Sequence, residues 1–271
     1  MKTRLISAGI ATVIAITLII LGSFYSIIVT IALALVNVLL CGEYLSAKKL
    51  NKDMKLFIPC LVFAVLIPML SMTKAWMIPL FLFVFGMCVL SVVFHKTIGT
   101  EDVLFSVFGV VLFSVSLSAL NIIVWEDSSH TAFWLVLTLG IPWLADSGAY
   151  FAGSYLGKHK LCPEISPNKT VEGAIGGVIS GTLTALLIGL IFKLIYGNVT
   201  MYYGIILIVG VINSVVSIFG DLTFSVLKRS CKIKDFGSIM PGHGGLLDRF
   251  DSVVFCIPVV YIFSRFFYLC L

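Results

Sequence analysis

From Leu5 to Gly42 the chain carries no charged residue, and that run limits the fold more than any other feature. At about 1.5 Å per residue, one helix over it would be nearly twice the thickness of a bilayer's hydrocarbon core. The run is therefore expected to hold two helices, with the turn at Gly22-Ser23. Apolar blocks of spanning length recur at 56–73, 75–94, 103–125, 131–152, 173–194, 201–220 and 253–271. The chain is 60% hydrophobic and 11% charged, whereas a soluble domain carries about 25% charged residues. Such a chain must be solvated by lipid, where backbone polar groups have to be satisfied within a helix or a closed barrel. Long blocks without short alternating strands select helices. The reading is an all-α, polytopic integral membrane protein with about nine transmembrane helices. It forms a single membrane domain, in which residues 1–125 are N-terminal helices and 126–271 carry helices and polar loops. Lys2 and Arg4 precede the first apolar run, which continues without a cleavage site, so it reads as a retained helix.

The basic residues test this alternation. With nine spans, one side receives the N-terminus and loops 43–55, 95–102, 153–172 and 221–252. That side holds 15 of the 18 Lys and Arg residues, leaving Lys74, Lys193 and Arg265 for the other. The rich side is cytoplasmic by the positive-inside rule, which places the N-terminus inside and the C-terminus outside. Acidic residues hardly influence topology. Yet 11 of 13 lie on or near the same side, with only Glu126 and Asp127 outside. A site for metal and phosphate accounts for that concentration.

The seven cysteines suggest no disulfide framework. Cys41, Cys60, Cys88, Cys256 and Cys270 lie in or beside apolar blocks, Cys162 and Cys231 lie in polar loops, and no CxxC spacing occurs.

The stretch from Asp221 to Ser252 gathers four carboxylates and five cations between two apolar spans. Asp221, Ser225, Lys228 and Arg229 are spaced i, i+4, i+7 and i+8, which on a helix puts them on one stripe. A loop from Pro241 through Gly242, His243, Gly244 and Gly245 follows, with glycines that let backbone N–H groups approach a ligand. Asp248 and Asp251 then sit at i, i+3 at the start of the last helix, with Arg249 between them.

Two further segments carry polar residues of interest. Ser166-Pro-Asn-Lys169-Thr170-Val-Glu172-Gly173 reads both as a phosphate contact through Lys169 and as a helix start, with Asn168 or Thr170 as cap and Glu172 in the first turn. Asp146 interrupts an apolar block, where an exposed carboxylate is costly and is by default a functional hypothesis. Tyr150, one turn on, is a candidate hydrogen-bond partner. Gly173, Gly177 and Gly181 recur at four-residue spacing, which favours close helix packing. The row suits a contact within the chain or one between two copies in a homodimer.

The run SVLKRSCKIKDFGSIMPGHGGLLDRFD, from Ser225 to Asp251, closely resembles the signature of CDP-diacylglycerol synthases, also called phosphatidate cytidylyltransferases. Residues 166–173 resemble a second box of that family, and Asp146-Ser-Gly-Ala-Tyr150 its intramembrane acidic box. Motif resemblance covers the last half of the chain, and the first half resembles the family in hydropathy alone. Asn168 departs from an expected Lys or Arg, and Met240 is an unusual apolar choice. The resemblance implies that CTP and phosphatidate yield CDP-diacylglycerol and pyrophosphate, with Mg²⁺ as cofactor. It implies Asp221 and Asp248 as metal carboxylates, bracketing the basic loop at two helix ends. Lys228, Arg229 and Asp251 join them in the catalytic set. Substrate contacts are expected from Asp146, Ser166, Lys169, Ser225, Lys234, Asp235, His243, Gly244, Gly245 and Arg249. The active site would face the cytoplasm at a cell membrane, with lipid around it and no nucleic-acid partner. A transporter using Asp146 as an ion site is the competing class. It is disfavoured because no internal repeat is visible and the charges cluster at one surface.

Overall fold

The computed structural model describes residues 2–73, 75–197, 199–240 and 244–267, without the side chains of 2–8, 10 and 11. Among the described residues are nine α-helices: α1 (Lys2–Phe24), α2 (Ser26–Ala47), α3 (Met54–Leu70), α4 (Met77–Val93), α5 (Thr100–Glu126), α6 (Thr131–Leu156), α7 (Val171–Tyr196), α8 (Tyr203–Ser230) and α9 (Leu247–Phe266). The chain is an all-α polytopic membrane protein. Five helices (α2, α5, α6, α7 and α8) are long and apolar enough to cross a bilayer, and α1, α3 and α4 carry shorter apolar runs.

Boundaries depart from the sequence reading in two places. The first break falls at Tyr25, whose backbone is extended, and not at Gly22-Ser23. Ser23 stays helical because its hydroxyl donates to the Ile19 carbonyl one turn back, which removes its incentive to turn. At the other end of the chain, α8 does not stop at residue 220. It runs on to Ser230, because the polar stripe of Asp221, Ser225 and Lys228 preserves a helical pattern after the apolar one ends. Asp221 therefore lies inside a helix and does not end one.

The chain divides into two compact units. The first comprises residues 1–129 and 231–249, and the second residues 130–230 and 250–271. Each has a largely apolar interior that also encloses polar groups, and each exposes many large apolar side chains.

In the first unit, Asn37, Ser114 and Asn121 are fully buried. Pro68 inside α3 has no N–H, so the Ala64 carbonyl one turn earlier lacks its helical donor. The Asn37 amide donates to that carbonyl at 2.8 Å and to Ser114 Oγ at 2.9 Å. Asn121 serves the end of the same helix, donating to the Pro68 carbonyl and to Ser71 Oγ, and it accepts from Thr30. Thr30 in turn accepts from Trp125. These bonds satisfy backbone groups for which lipid offers no partner. Tyr44, also fully buried, stacks on Phe105 and donates to the Phe105 carbonyl, with Gly109 giving its ring room.

In the second unit, small residues set the packing. Gly173 and Gly177 of α7 lie against Ala145, Ala149 and Gly153 of α6, while Gly181 meets Ala145 and Ser214 of α8. The glycine row is thus internal packing and carries no argument for a dimer. On the other side of α7, Ile175, Ile179, Leu183, Leu187 and Leu194 are exposed, a stripe suited to lipid.

Between α6 and α7 the polar loop forms an antiparallel hairpin, β1 (Lys160–Cys162) with β2 (Ser166–Thr170). Thr170 caps α7 by accepting from the Gly173 N–H, one of the two caps expected from sequence. Asn168 lies in the strand. Glu172, in the first turn of α7, accepts from the backbone N–H groups of Lys158 and His159 and pairs with the His159 ring. The hairpin is thereby tied to the start of α7.

Candidate active site

Within the second unit, the hairpin, α6, α8 and α9 bring polar residues together from distant parts of the sequence. Lys169, near the end of β2, forms an ion pair with Asp221 of α8. Asp146 of α6 accepts from Ser252 Oγ of α9 at 3.3 Å and from Ser217 Oγ of α8 at 3.5 Å. The expected partner Tyr150 is instead 70% exposed: one turn along α6 its ring points off the packed face, while α8 and α9 offer hydroxyls from the other side. Gly220 permits that arrangement, since a Cβ there would lie 3.1 Å from the Ser252 Cα. Asp221 acts electrostatically on both Asp146 and Asp251, while Lys169 offsets Asp146 and Lys228 offsets Asp251. Asp251 is buried and accepts the Ser252 N–H. Three carboxylates thus face two lysines in one unit. Ser225 lies on the same helix, Ser166 on β2, and Arg229 is exposed beyond Lys228.

Within the first unit, the returning segment 231–249 carries the glycine loop and the start of α9. Asp248 Oδ2 accepts the backbone N–H groups of Phe236 at 2.9 Å and Gly245 at 3.0 Å. Gly244 has φ +83, in the left-handed region that favours glycine. Its Cα lies beside Asp235 and Asp248. Met240 and Gly244 close the loop through a backbone hydrogen bond, and Lys234, Asp235 and Arg249 are exposed. His243, with Pro241 and Gly242, lies outside the described residues, as do Lys74 and Cys270.

One of these glycines differs from the sequence expectation. Gly245 does not hold room for a ligand. The side chain of Glu43 fills the space beside it and beside Gly237 on the other arm of the loop, and a Cβ on either glycine would overlap its carboxyl group.

Residues 2–267 match the cytidylyltransferase family. The chain belongs to the cytidylyltransferase family. It is 43% identical over 127 residues to the phosphatidate cytidylyltransferase of Bacillus subtilis (strain 168), an alignment covering 47% of this chain and 45% of that protein. Proteins of the same name from Staphylococcus saprophyticus and Staphylococcus aureus (strain COL) are 39% and 40% identical over 136 residues, half of each chain. The alignment spans about half the length of the curated relatives it matches.

A divalent cation, Mg²⁺, is implied by the sequence resemblance alone. Among the described residues no three His, Cys, Asp or Glu side chains converge as a metal-binding group. Mg²⁺ needs less than that, since it is usually held by one or two carboxylates together with substrate phosphates and water. Asp146, Asp221 and Asp251 offer only hard oxygen donors; Asp221 repels both Asp146 and Asp251, and Lys169 and Lys228 act against that repulsion. The donor chemistry fits such a cation. Asp248 belongs to the other unit and is described there.

Three partners were missed in the sequence of this cytidylyltransferase-family chain. Ser217 and Ser252 resemble any small residue of a membrane helix, and no spacing rule ties them to Asp146. Glu43 was legible only as a carboxylate near the end of an apolar run.

Proposed function

We propose that this chain is a phosphatidate cytidylyltransferase acting at the cytoplasmic face of a cell membrane. The observation that carries the reading is the set of Asp146, Lys169, Asp221, Lys228 and Asp251 gathered around one face of α8. The name of its relatives supports the same chemistry.

In this reading a phosphate oxygen of phosphatidate attacks the α-phosphorus of CTP. A new P–O bond forms, the bond from that phosphorus to the bridging oxygen breaks, and pyrophosphate leaves. The phosphomonoester has a second pKa of about 6 and is largely dianionic at neutral pH, so no side-chain nucleophile is required. The protein's task is to bring two polyanions together and hold them in line. Lys228, Arg229, Lys234 and Arg249 contact phosphates, joined by Ser166, Lys169 and Ser225. Asp235 and Asp251 orient these cations, and His243, Gly244 and Gly245 belong to the nucleotide-binding loop. Asp146 serves at the buried end of the site. Asp221 and Asp248 are the carboxylates that the family resemblance implies for Mg²⁺, which would supply positive charge against the departing pyrophosphate. The Lys169–Asp221 pair keeps that carboxylate compensated before substrate arrives. The diacyl tails remain in lipid while CTP comes from the cytosol.

The deciding experiment is a membrane assay with labelled CTP and phosphatidate, the product identified by mass. CDP-diacylglycerol and pyrophosphate are expected in equal amounts and only with divalent metal. Transfer of the γ-phosphoryl group, or no CTP consumption, would sink the reading.

A further inference from the structure

Glu43 is 6% exposed near the end of α2, in the half of the chain where no motif was found. Its Oε2 accepts the Leu247 N–H at 2.7 Å, at the first turn of α9. Its carboxyl group fills the space beside the Cα of Gly237 on one arm of the loop and of Gly245 on the other. The next residue, Tyr44, lies against Phe236, with ring centroids 6.2 Å apart. One turn of α2 therefore grips both arms of the loop that carries Asp235 and Asp248. Asp248 binds the same two arms through the N–H groups of Phe236 and Gly245. Glu43 Oε1 is buried with no hydrogen-bond partner among the described residues. A buried carboxyl group with so few partners is costly to fold. What it supplies is a fixed geometry.

We propose that Glu43 is a positioning residue for cytidylyl transfer, clamping the arms 236–237 and 245–247 so that Asp248 holds one orientation. The assignment rests on the function proposed above. Outer-shell partners of this kind, when lost, typically reduce activity about 10- to 100-fold.

The test uses the full chain in detergent or nanodiscs, with two measurements on E43A, E43Q and G237A. Hydrogen exchange of peptides covering 236–248 is followed by mass spectrometry, and kcat and KM are measured per folded molecule. E43A is expected to speed exchange of the Phe236, Gly245 and Leu247 amides and to lower kcat by about 10- to 100-fold, with KM for phosphatidate little changed. E43Q keeps an acceptor oxygen for Leu247 and is expected to recover most of the loss. G237A, whose Cβ would overlap Glu43, is expected to act like E43A in the wild-type background and to add nothing in the E43A background. Unchanged loop exchange in E43A, or a wild-type kcat, overturns the proposal. If E43A does not accumulate, wild-type behaviour of both E43Q and G237A overturns it. If the wild-type chain transfers no cytidylyl group, the function reading fails and the catalytic half of this assignment with it. The exchange data then still decide whether Glu43 holds the loop.

Discussion

Lys169 on the hairpin and Asp221 within α8 form an ion pair that joins two of the three sequence motifs in one place. Their side chains retain 25% and 27% of their surface, so most of the pair is removed from water while its edge stays wet. Replacing Lys169 by Met is expected to cost about 1 kcal/mol of stability or less. It should nevertheless lower turnover by about tenfold or more if Lys169 contacts a substrate phosphate. Thermal melts and initial rates on the same preparation check this. A stability loss with unchanged turnover would make the pair structural.

If Asp221 and Asp248 hold Mg²⁺ as proposed, Asp221→Asn and Asp248→Asn should each reduce cytidylyl transfer at least about 100-fold, because the members of a metal site act as a unit. Asn keeps an oxygen but loses the charge that holds a hard cation. The double variant should be little worse than either single one. Rates at saturating Mg²⁺ and CTP, with equal membrane levels of each protein, decide it. Near-normal activity in one variant removes that residue from the metal site.

Asp146→Asn keeps an acceptor oxygen for one of Ser217 and Ser252 and presents an amide N–H to the other, whose hydroxyl can turn to accept it. Stability should therefore change by only about 1 kcal/mol, while turnover falls by about tenfold or more. Full turnover with normal metal dependence would leave Asp146 as a structural acceptor.

Asn37→Leu leaves the Ala64 carbonyl without a donor, an expected loss of about 1–3 kcal/mol. Pro68→Ala restores an N–H one turn from that carbonyl, so the double variant should melt above Asn37→Leu alone. Melting temperatures in detergent test the pair. Equal values for the single and double variants would contradict the account.

The 15-to-3 division of Lys and Arg leads to a prediction for orientation. A reporter fused after Leu271 should read as extracytoplasmic. A cytoplasmic reading would rule out nine spans.

Hydropathy and spacing alone determined that the chain is a bundle of apolar helices, that Thr170 can cap α7, and that Asp221, Ser225 and Lys228 share a helical stripe. These are local properties, set by a repeat of 3.6 residues and by what lipid demands of a backbone. The family signature between Ser225 and Asp251 was equally legible, because it is contiguous. Tertiary structure alone decided who meets whom. Asp146 looked along its own helix toward Tyr150, yet its hydroxyl partners come from α8 and α9. The glycine row could have served two copies, but α6 and α8 fill it within one chain. Gly245 seemed to await a ligand, and Glu43 from α2 occupies the space beside it and beside Gly237. Each of these contacts joins residues far apart in sequence whose side chains are individually unremarkable, such as Ser, Gly and a single Glu. A buried polar group finds its partner through packing, and packing has no period that can be read along the chain.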